Sequence, residues 1–434
     1  MSASPTQSGT VLIRGGEVVD PTGRRRADIG IRDGKVVAVG DALDAEGVDH
    51  VIDAGGCIVS TGFVDLHSHL REPGQEEAET IQSGSRGAAL GGYTTVLAMP
   101  NTIPAIDSAS IVRDVMQLAE TALCDVLPTG AITKGRAGEE LAPMAEMAAL
   151  GVTMFTDDGS GVADNTLMRR AMEYATGLDV TLAQHCEDPA LSQGGSMHEG
   201  EWSSRLGIPA QPAEAEELMV MRDVALAKLT GAKAHFQHLS TRRSIEMVRE
   251  AKALGLPITC EATTHHFTLT HAECASYNPV FKVNPPLRTD DDVLAVREAL
   301  ADGTIDAIAT DHAPHAPENK ELPFDQAPPG MLGLETALAL ALTELDLPIE
   351  RVLALMSWVP AKLGGIGHEV DGTIAEGTRA DLAIIDPAVQ WTVSGAAMAS
   401  PSRNTPYEGR SLTGRVRHTI HRGEIVVMNG EAQR

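Results

Sequence analysis

The chain has 434 residues and a formal net charge of −26, from 34 Lys and Arg against 60 Asp and Glu. So acidic a balance argues against a nucleic-acid binder, which needs a basic footprint to release counterions, and disfavours docking on anionic membrane surfaces. With 43 % hydrophobic residues a substantial core is available, and the length suits one domain of about 250 to 300 residues plus something smaller.

The opening MSASPTQSGT has no basic start followed by an apolar run, and no stretch of about 18 uninterrupted apolar residues follows. Neither a signal peptide nor a membrane span is expected, and the chain reads as cytoplasmic. Residues 10–60 alternate short β-like runs with turn signals, as in TVLIRGGEVVD and ADIGIRDGKVVAVG. Arg24, Arg25 and Arg26 follow a Pro-Thr-Gly turn and read as a solvated loop. Roughly fifty residues of hairpins bury too little apolar surface to stand alone. The same texture returns in GTRADLAIIDP and GRVRHTIHRGEIVVMNG, so the two ends are expected to pair. This gives three segments: 1–61 and 371–434 as one small β-sandwich domain, and 62–370 between them.

The middle segment repeats one short apolar strand and one Ala-rich amphipathic helix. Strands are expected at GFVDLHSH, YTTVLAMPN, DVLPTGAIT, VTMFTDDG, VTLAQHCED, AKAHFQHLS, PITCEATTHH and IDAIATDHAPH, with GLETALALALTEL as a last helix. About eight β/α units in one direction predict an α/β fold, a (β/α)8 TIM-like barrel. A doubly wound open sheet is weaker, because no GxGxxG follows the first strand. Cys57, Cys124, Cys186, Cys260 and Cys274 are odd in number, widely spaced and set in apolar surroundings, which fits reduced structural thiols.

Polar residues cluster at the C-terminal ends of these strands, where a barrel builds its site. His67 and His69 are two apart, so both project to one face of the first strand. An HxH pair alone is as readily two satisfied histidines. Asp158, His185, His238 and Asp311 recur at later strand ends, and four histidines with two carboxylates aimed at one axis predict a metal site. Nitrogen and oxygen donors without clustered thiolate favour Zn²⁺, and the ligand number suggests two ions with a carboxylate between them. Paired divalent ions acidify a water and polarise a carbonyl, as hydrolysis of an unreactive amide requires.

Arg71 continues on the same face as His69, and its planar guanidinium suits a carboxylate. Asn101 ends the second strand and can donate an amide hydrogen to the same group; His315 lies four past Asp311. His265 and His266 are adjacent, so only one can face the axis, and packing is the simpler role. His418 and His421 fall away from the expected site. HAPENKELPFDQAPPG is long and Pro-rich, equally a lid or an ordered connector.

DLHSHLREPG, GGYTTVLAMPNT, NPPLR and ATDHAPH resemble the signatures of bacterial class I dihydroorotases within the amidohydrolase superfamily, and the likeness covers nearly the whole chain. HxH alone would indicate only the superfamily; HLREPG, AMPNT and ATDHAPH together are far more specific. The resemblance implies that His67, His69 and Asp311 hold one metal, that His185 and His238 hold the other, and that Asp158 bridges them. Many superfamily members use a carboxylated lysine near the end of the fourth strand; VTMFTDDG offers only Asp157 and Asp158. Motif spacing favours Asp158, strand alternation turns Asp157 away, and Lys134 after the third strand is a poor substitute. The resemblance further implies that Arg71, Asn101 and His315 grip the substrate carboxylate, with His69, Asn284, Pro329 and Gly330 around the ring.

The activity implied is the reversible interconversion of dihydroorotate and N-carbamoyl-L-aspartate in pyrimidine synthesis, with Asp311 moving the proton. Other readings are a hydantoinase or allantoinase, which would not need Arg71 and Asn101, and a catalytically silent scaffold homologue, which would have lost ligands. The partner is a small molecule. The residues are silent on a homo-oligomer and on association with aspartate transcarbamoylase.

Overall fold

A computed structural model describes residues 9–366 and 372–434. The first eight residues and the boundary drawn between 370 and 371 lie outside the described residues. The architecture is α/β. Eight strands carry the site: β1 (Phe63–Ser68), β2 (Tyr93–Ala98), β3 (Asp125–Pro128), β4 (Met154–Phe155), β5 (Thr181–Gln184), β6 (Lys233–Phe236), β7 (Ile258–Thr263) and β8 (Ala307–Ala309). Every pairing among them is parallel: β1 with β2, β2 with β3, and β4 through β8 in succession. Isolated parallel bridges from Gly130 to Phe155 and from Ser68 to His312 connect the two sheets at both edges, so the pairing order returns to β1.

Parallel strands covered on both faces read as continuous apolar runs, and β1 and β2 are buried at every position. Their alternation still sorts side chains. Leu97 and Met99 join an inner apolar cluster with Val64, Leu66, Met154 and Ala183, whereas Val96, Ala98, Phe155 and Leu182 face the outer layer packed by helices. The helices between strands begin where a side chain satisfies the first free N–H groups. Asp164 caps Asn165–Leu178 through Leu167 N, Thr241 caps Arg242–Ala253 through Ser244 N, and Thr289 forms a capping box with Asp292 at Asp290–Asp302. Gly303, at φ +87°, ends the last of these in the left-handed region that glycine adopts without strain.

The chain's two ends do pair. Ile58–Thr61 lies between Leu382–Thr392, antiparallel, and Glu17–Asp20, parallel, within a seven-stranded sheet. A four-stranded sheet orders Lys35–Gly40, Asp28–Arg32, Val11–Arg14 and His50–Asp53. Ile13, Ile29, Val59, Leu382 and Ile384 share one apolar cluster between these strands.

Two expectations need correction. Gly23–Arg26 is an edge strand and not a loop: Arg24 pairs with Glu17 at 2.5 Å, and Arg25 pairs with Asp20 at 2.9 Å. These cross-strand ion pairs favour extended backbone where composition alone suggested a turn. Ala337–Glu344 is not the last helix, because Ile349–Met356 and Trp358–Leu363 follow, and Ala361 closes the inner apolar cluster. The five cysteines are buried and unpaired. Among the described residues no helix is long and apolar enough to cross a membrane.

Candidate metal centre

The ends of β1, β4, β5, β6 and β8 bring six donor side chains together. Ligand atoms of His67, His69 and Asp311 lie within 4.8 Å of one another, as do those of His67, Asp158 and His238. Asp158 is central. Its Oδ1 lies 3.3 Å from His67 Nε2, 3.4 Å from His185 Nδ1 and 3.6 Å from His238 Nε2, and its Oδ2 lies 3.4 Å from His69 Nε2. Asp311 Oδ1 is 3.0 Å from His69 Nε2 and 3.6 Å from His67 Nε2. All six side chains are buried. Three residues at these strand ends have positive φ, Arg71 (+63°), His238 (+33°) and Asp311 (+45°). Such backbone is costly for a side-chain-bearing residue and is tolerated where surroundings over-determine it.

Tautomers are set from behind. His67 Nδ1–H donates to Glu261 Oε1 at 2.9 Å, and His69 Nδ1–H donates to Asn101 Oδ1 at 2.8 Å. Each bond leaves the Nε2 lone pair facing the two aspartates. Glu261 also accepts from His235 Nε2 at 3.1 Å, and His235 is anchored on Thr259 Oγ1. Burial opposes ionisation of Asp158, yet His67, His185 and His238 hold its carboxyl well below the usual carboxylate range. Burial likewise would raise Asp311, and His67 and His69 outweigh it, so that carboxyl is also lowered.

These atoms fit a metal by an internal criterion. On the side facing the cluster, His67 Nε2 and Asp158 Oδ1 are buried without a hydrogen-bond partner, a costly state unless something else satisfies them. The 2.9 Å separation of His185 Nδ1 and His238 Nε2 suits lone pairs aimed at a shared cation. Imidazole and carboxylate donors without thiolate suit a borderline divalent ion.

Asp157 faces the other way, accepting from Ile132 N, Thr133 N and Thr133 Oγ1. Lys134 is exposed and paired with Glu140 at 2.6 Å. His266 bonds Thr263 Oγ1 and the Pro285 carbonyl, and His265 packs against it. His421 lies far from the cluster, between Asp125 and Asp381.

A cavity of about 240 Å³ opens over the donors, lined also by Arg71, Asn101, Arg136, Asn284, His315, Pro329 and Gly330. Arg71 Nε donates to the Pro314 carbonyl at 3.0 Å, leaving most of its five N–H groups for a ligand. Burial lowers its pKa to about 10, so it stays cationic at neutral pH. Asn101 has its oxygen on His69 and offers only its amide hydrogens. His315 Nε2–H donates to the Pro329 carbonyl at 2.7 Å, and Gly330 N donates to Lys282 O. These groups therefore hold the cavity wall, and a ligand would compete with the Pro329 carbonyl for His315. Burial first, then Arg71, pushes His315 down to about 3, so it is neutral.

The Pro-rich stretch is held by hydrogen bonds and by packing. Lys320 Nζ donates to the Pro279 and Pro328 carbonyls at 3.1 and 2.8 Å, Lys282 Nζ reaches Asp325 O at 3.0 Å, and Phe324 is buried with Met197 and Cys274. Two residues here were not foreseen. Glu261 had one signal, a lone acid inside the apolar run PITCEAT; Arg136 had none.

A family model described as dihydro-orotase-like matches residues 56–244, and one described as an amidohydrolase family matches 272–427. The chain is 49 % identical to a dihydroorotase of Streptomyces coelicolor over 97 % of this chain and 99 % of that one. It is 46 % identical to a dihydroorotase of Anaeromyxobacter dehalogenans over 98 % and 100 %. Among solved structures it resembles the L-hydantoinase (dihydropyrimidinase) from Arthrobacter aurescens, with a TM-score of 0.87 and 26 % identity over 98 % of each chain. A D-hydantoinase from Thermus sp. gives a TM-score of 0.83 and 27 % identity over 97 % and 96 %. Near-full-length identity of this degree, with the donor cluster and its neighbouring guanidinium in one cavity, places the chain in the dihydroorotase family of the amidohydrolases.

Proposed function

We propose that this cavity interconverts dihydroorotate and N-carbamoyl-L-aspartate, with two zinc ions per chain held by His67, His69, Asp158, His185, His238 and Asp311. Bound there, the ions would acidify a water and polarise the ring amide carbonyl. The chain's own residues do the rest. Glu261 and Asn101 hold His67 and His69 with their lone pairs inward. Arg71 takes the ring carboxylate, with an amide hydrogen of Asn101 beside it, and so turns the reacting carbonyl toward the aspartates. Asp311 takes a proton from the attacking water and passes it to the leaving ring nitrogen, and the reverse order closes the ring.

The observation that carries this reading against a hydantoinase is Arg71. Hydantoin has no carboxylate to occupy a buried guanidinium. Its test compares dihydroorotate, hydantoin and allantoin side by side, with metal quantified before and after chelation. Dihydroorotate should be strongly preferred, its turnover lost with the metal and restored by zinc. Preference for hydantoin, or activity that survives chelation, would overturn the reading.

The same reading takes residues 62–370 as a (β/α)8 barrel and residues 1–61 with 371–434 as a β-sandwich domain. The returning order of parallel strands and the pairing of Ile58–Thr61 with Leu382–Thr392 support it. Assembly as a homo-oligomer, checked by light scattering, and cytoplasmic residence belong to it too, since both metabolites are anions that do not cross a bilayer unaided.

A further inference from the structure

Arg136 lies on the loop after β3, at φ +57°, and lines the cavity that Arg71, Asn101 and Asp311 share. Its Nη2 donates to the Asp158 backbone carbonyl and, at 3.2 Å, to Ser160 Oγ. Both acceptors are neutral; the Asp158 and Asp157 carboxylates are near enough to favour its charge but are not hydrogen-bonded to it. Its Nε is buried without a hydrogen-bond partner. Arg71 is near enough for the charge on Arg136 to oppose its own. Asp311, Asp158 and Glu79 favour the charge on Arg71 more than Arg136 opposes it, and an anion bound between the two guanidiniums would meet both.

Gly159 keeps the approach clear. A Cβ there would stand 3.5 Å from Arg136 Nη2 and 3.9 Å from Asn101 Nδ2, and its φ of +80° suits glycine. A ligand group can therefore reach Arg136 beside Asn101.

We propose that Arg136 is a specificity-determining residue that recognises the second carboxylate of the open-chain ligand. This rests on the reaction assigned above. In ring opening, water oxygen bonds to the amide carbon and the carbon–nitrogen bond breaks. One water proton ends on the leaving nitrogen, and the new carboxylic acid ionises, releasing the other. The ligand changes from monoanion to dianion inside the cavity. Arg71 meets the carboxylate present in both forms, and Arg136, anchored on the backbone carbonyl of the donor Asp158, meets the one that ring opening creates beside the donors.

The test measures KM for both ligands, and product inhibition by N-carbamoyl-L-aspartate, in the zinc-loaded wild type, R136Q and R136K. Losing one charge-assisted hydrogen bond should raise KM and the inhibition constant for N-carbamoyl-L-aspartate about 10-fold or more in R136Q. KM for dihydroorotate should move less than about 2-fold, and R136K should recover part of the difference because it keeps the charge. The ratio of kcat/KM in the two directions is set by the reaction equilibrium and must stay constant, which checks the assay. If R136Q is too slow for kinetics, calorimetric titration of that variant with each ligand reads the same split. Equal change for both ligands with loss of zinc would assign Arg136 to bracing the Asp158 turn and overturn the proposal, as would no change for either. A wild type inactive on both compounds would instead defeat the assigned reaction.

Discussion

His67 Nδ1 stands 2.9 Å from Glu261 Oε1, although 194 residues separate them. Both side chains are buried, and the carboxylate also takes an N–H from His235. Burial opposes its charge, but His235 and His67 outweigh that and lower the Glu261 pKa to about 2. It therefore serves as a permanent acceptor that keeps the other nitrogen of His67 bare.

Replacing Glu261 by Gln keeps shape but removes the charge that fixes the tautomer. Zinc affinity of E261Q should fall about 10- to 100-fold, measured by competition with a chelator. Wild-type affinity in that variant would show that the backing carboxylate is idle.

Asp311 lies 3.0 Å from His69 Nε2 and lines the cavity, where it is placed to take a proton. D311N should lose about 10²-fold or more in kcat for ring opening, while dihydroorotate still binds through Arg71. A rate within a few-fold of wild type would remove Asp311 from the proton path.

Among the described residues, the hydrogen bonds of Arg71 run to the Pro314 carbonyl and the His315 ring and to no carboxylate. R71A should raise KM for dihydroorotate about 10- to 100-fold, the loss of a charged clamp. An unchanged KM would place the substrate carboxylate elsewhere.

The join between β3 and the terminal sheet should be pH-sensitive. His421 lies 3.1 Å from Asp381 and 3.4 Å from Asp125, which Arg379 and Arg422 also reach at 2.9 and 2.8 Å. Burial would lower the His421 pKa, but the two aspartates outweigh it and raise it. Its contribution is therefore full below the ordinary histidine value and lost as pH rises through the raised one. Burial would raise Asp125, but His421, Arg379 and Arg422 outweigh it and hold it at about 2. That contribution is present above the ordinary carboxylate value and lost as pH falls toward 2. Thermal melts across pH should peak between these limits, and H421Q should flatten the alkaline fall. An unaltered alkaline limb would rule out this site as its source.

Much of the site was legible because its signals are local. A two-residue period puts His67 and His69 on one face of β1, and the same period separates Asp158 from Asp157. The alternation of apolar runs with capped amphipathic segments gave every strand from β1 to β8. The Arg24–Arg26 segment misled because its extended form depends on Glu17 and Asp20 across the strand pair, and a turn-like composition says nothing of them.

What the sequence by itself determined is which residue types stand at each strand end and which way each side chain leaves its own strand. Tertiary structure alone decided that Glu261 backs His67, that Asn101 spends its oxygen on His69, and that Arg136 crosses from the loop after β3 to the turn holding Asp158. The physical reason is range. Side-chain direction follows from a few neighbouring dihedrals, whereas a contact between distant strands depends on register summed over every strand between them.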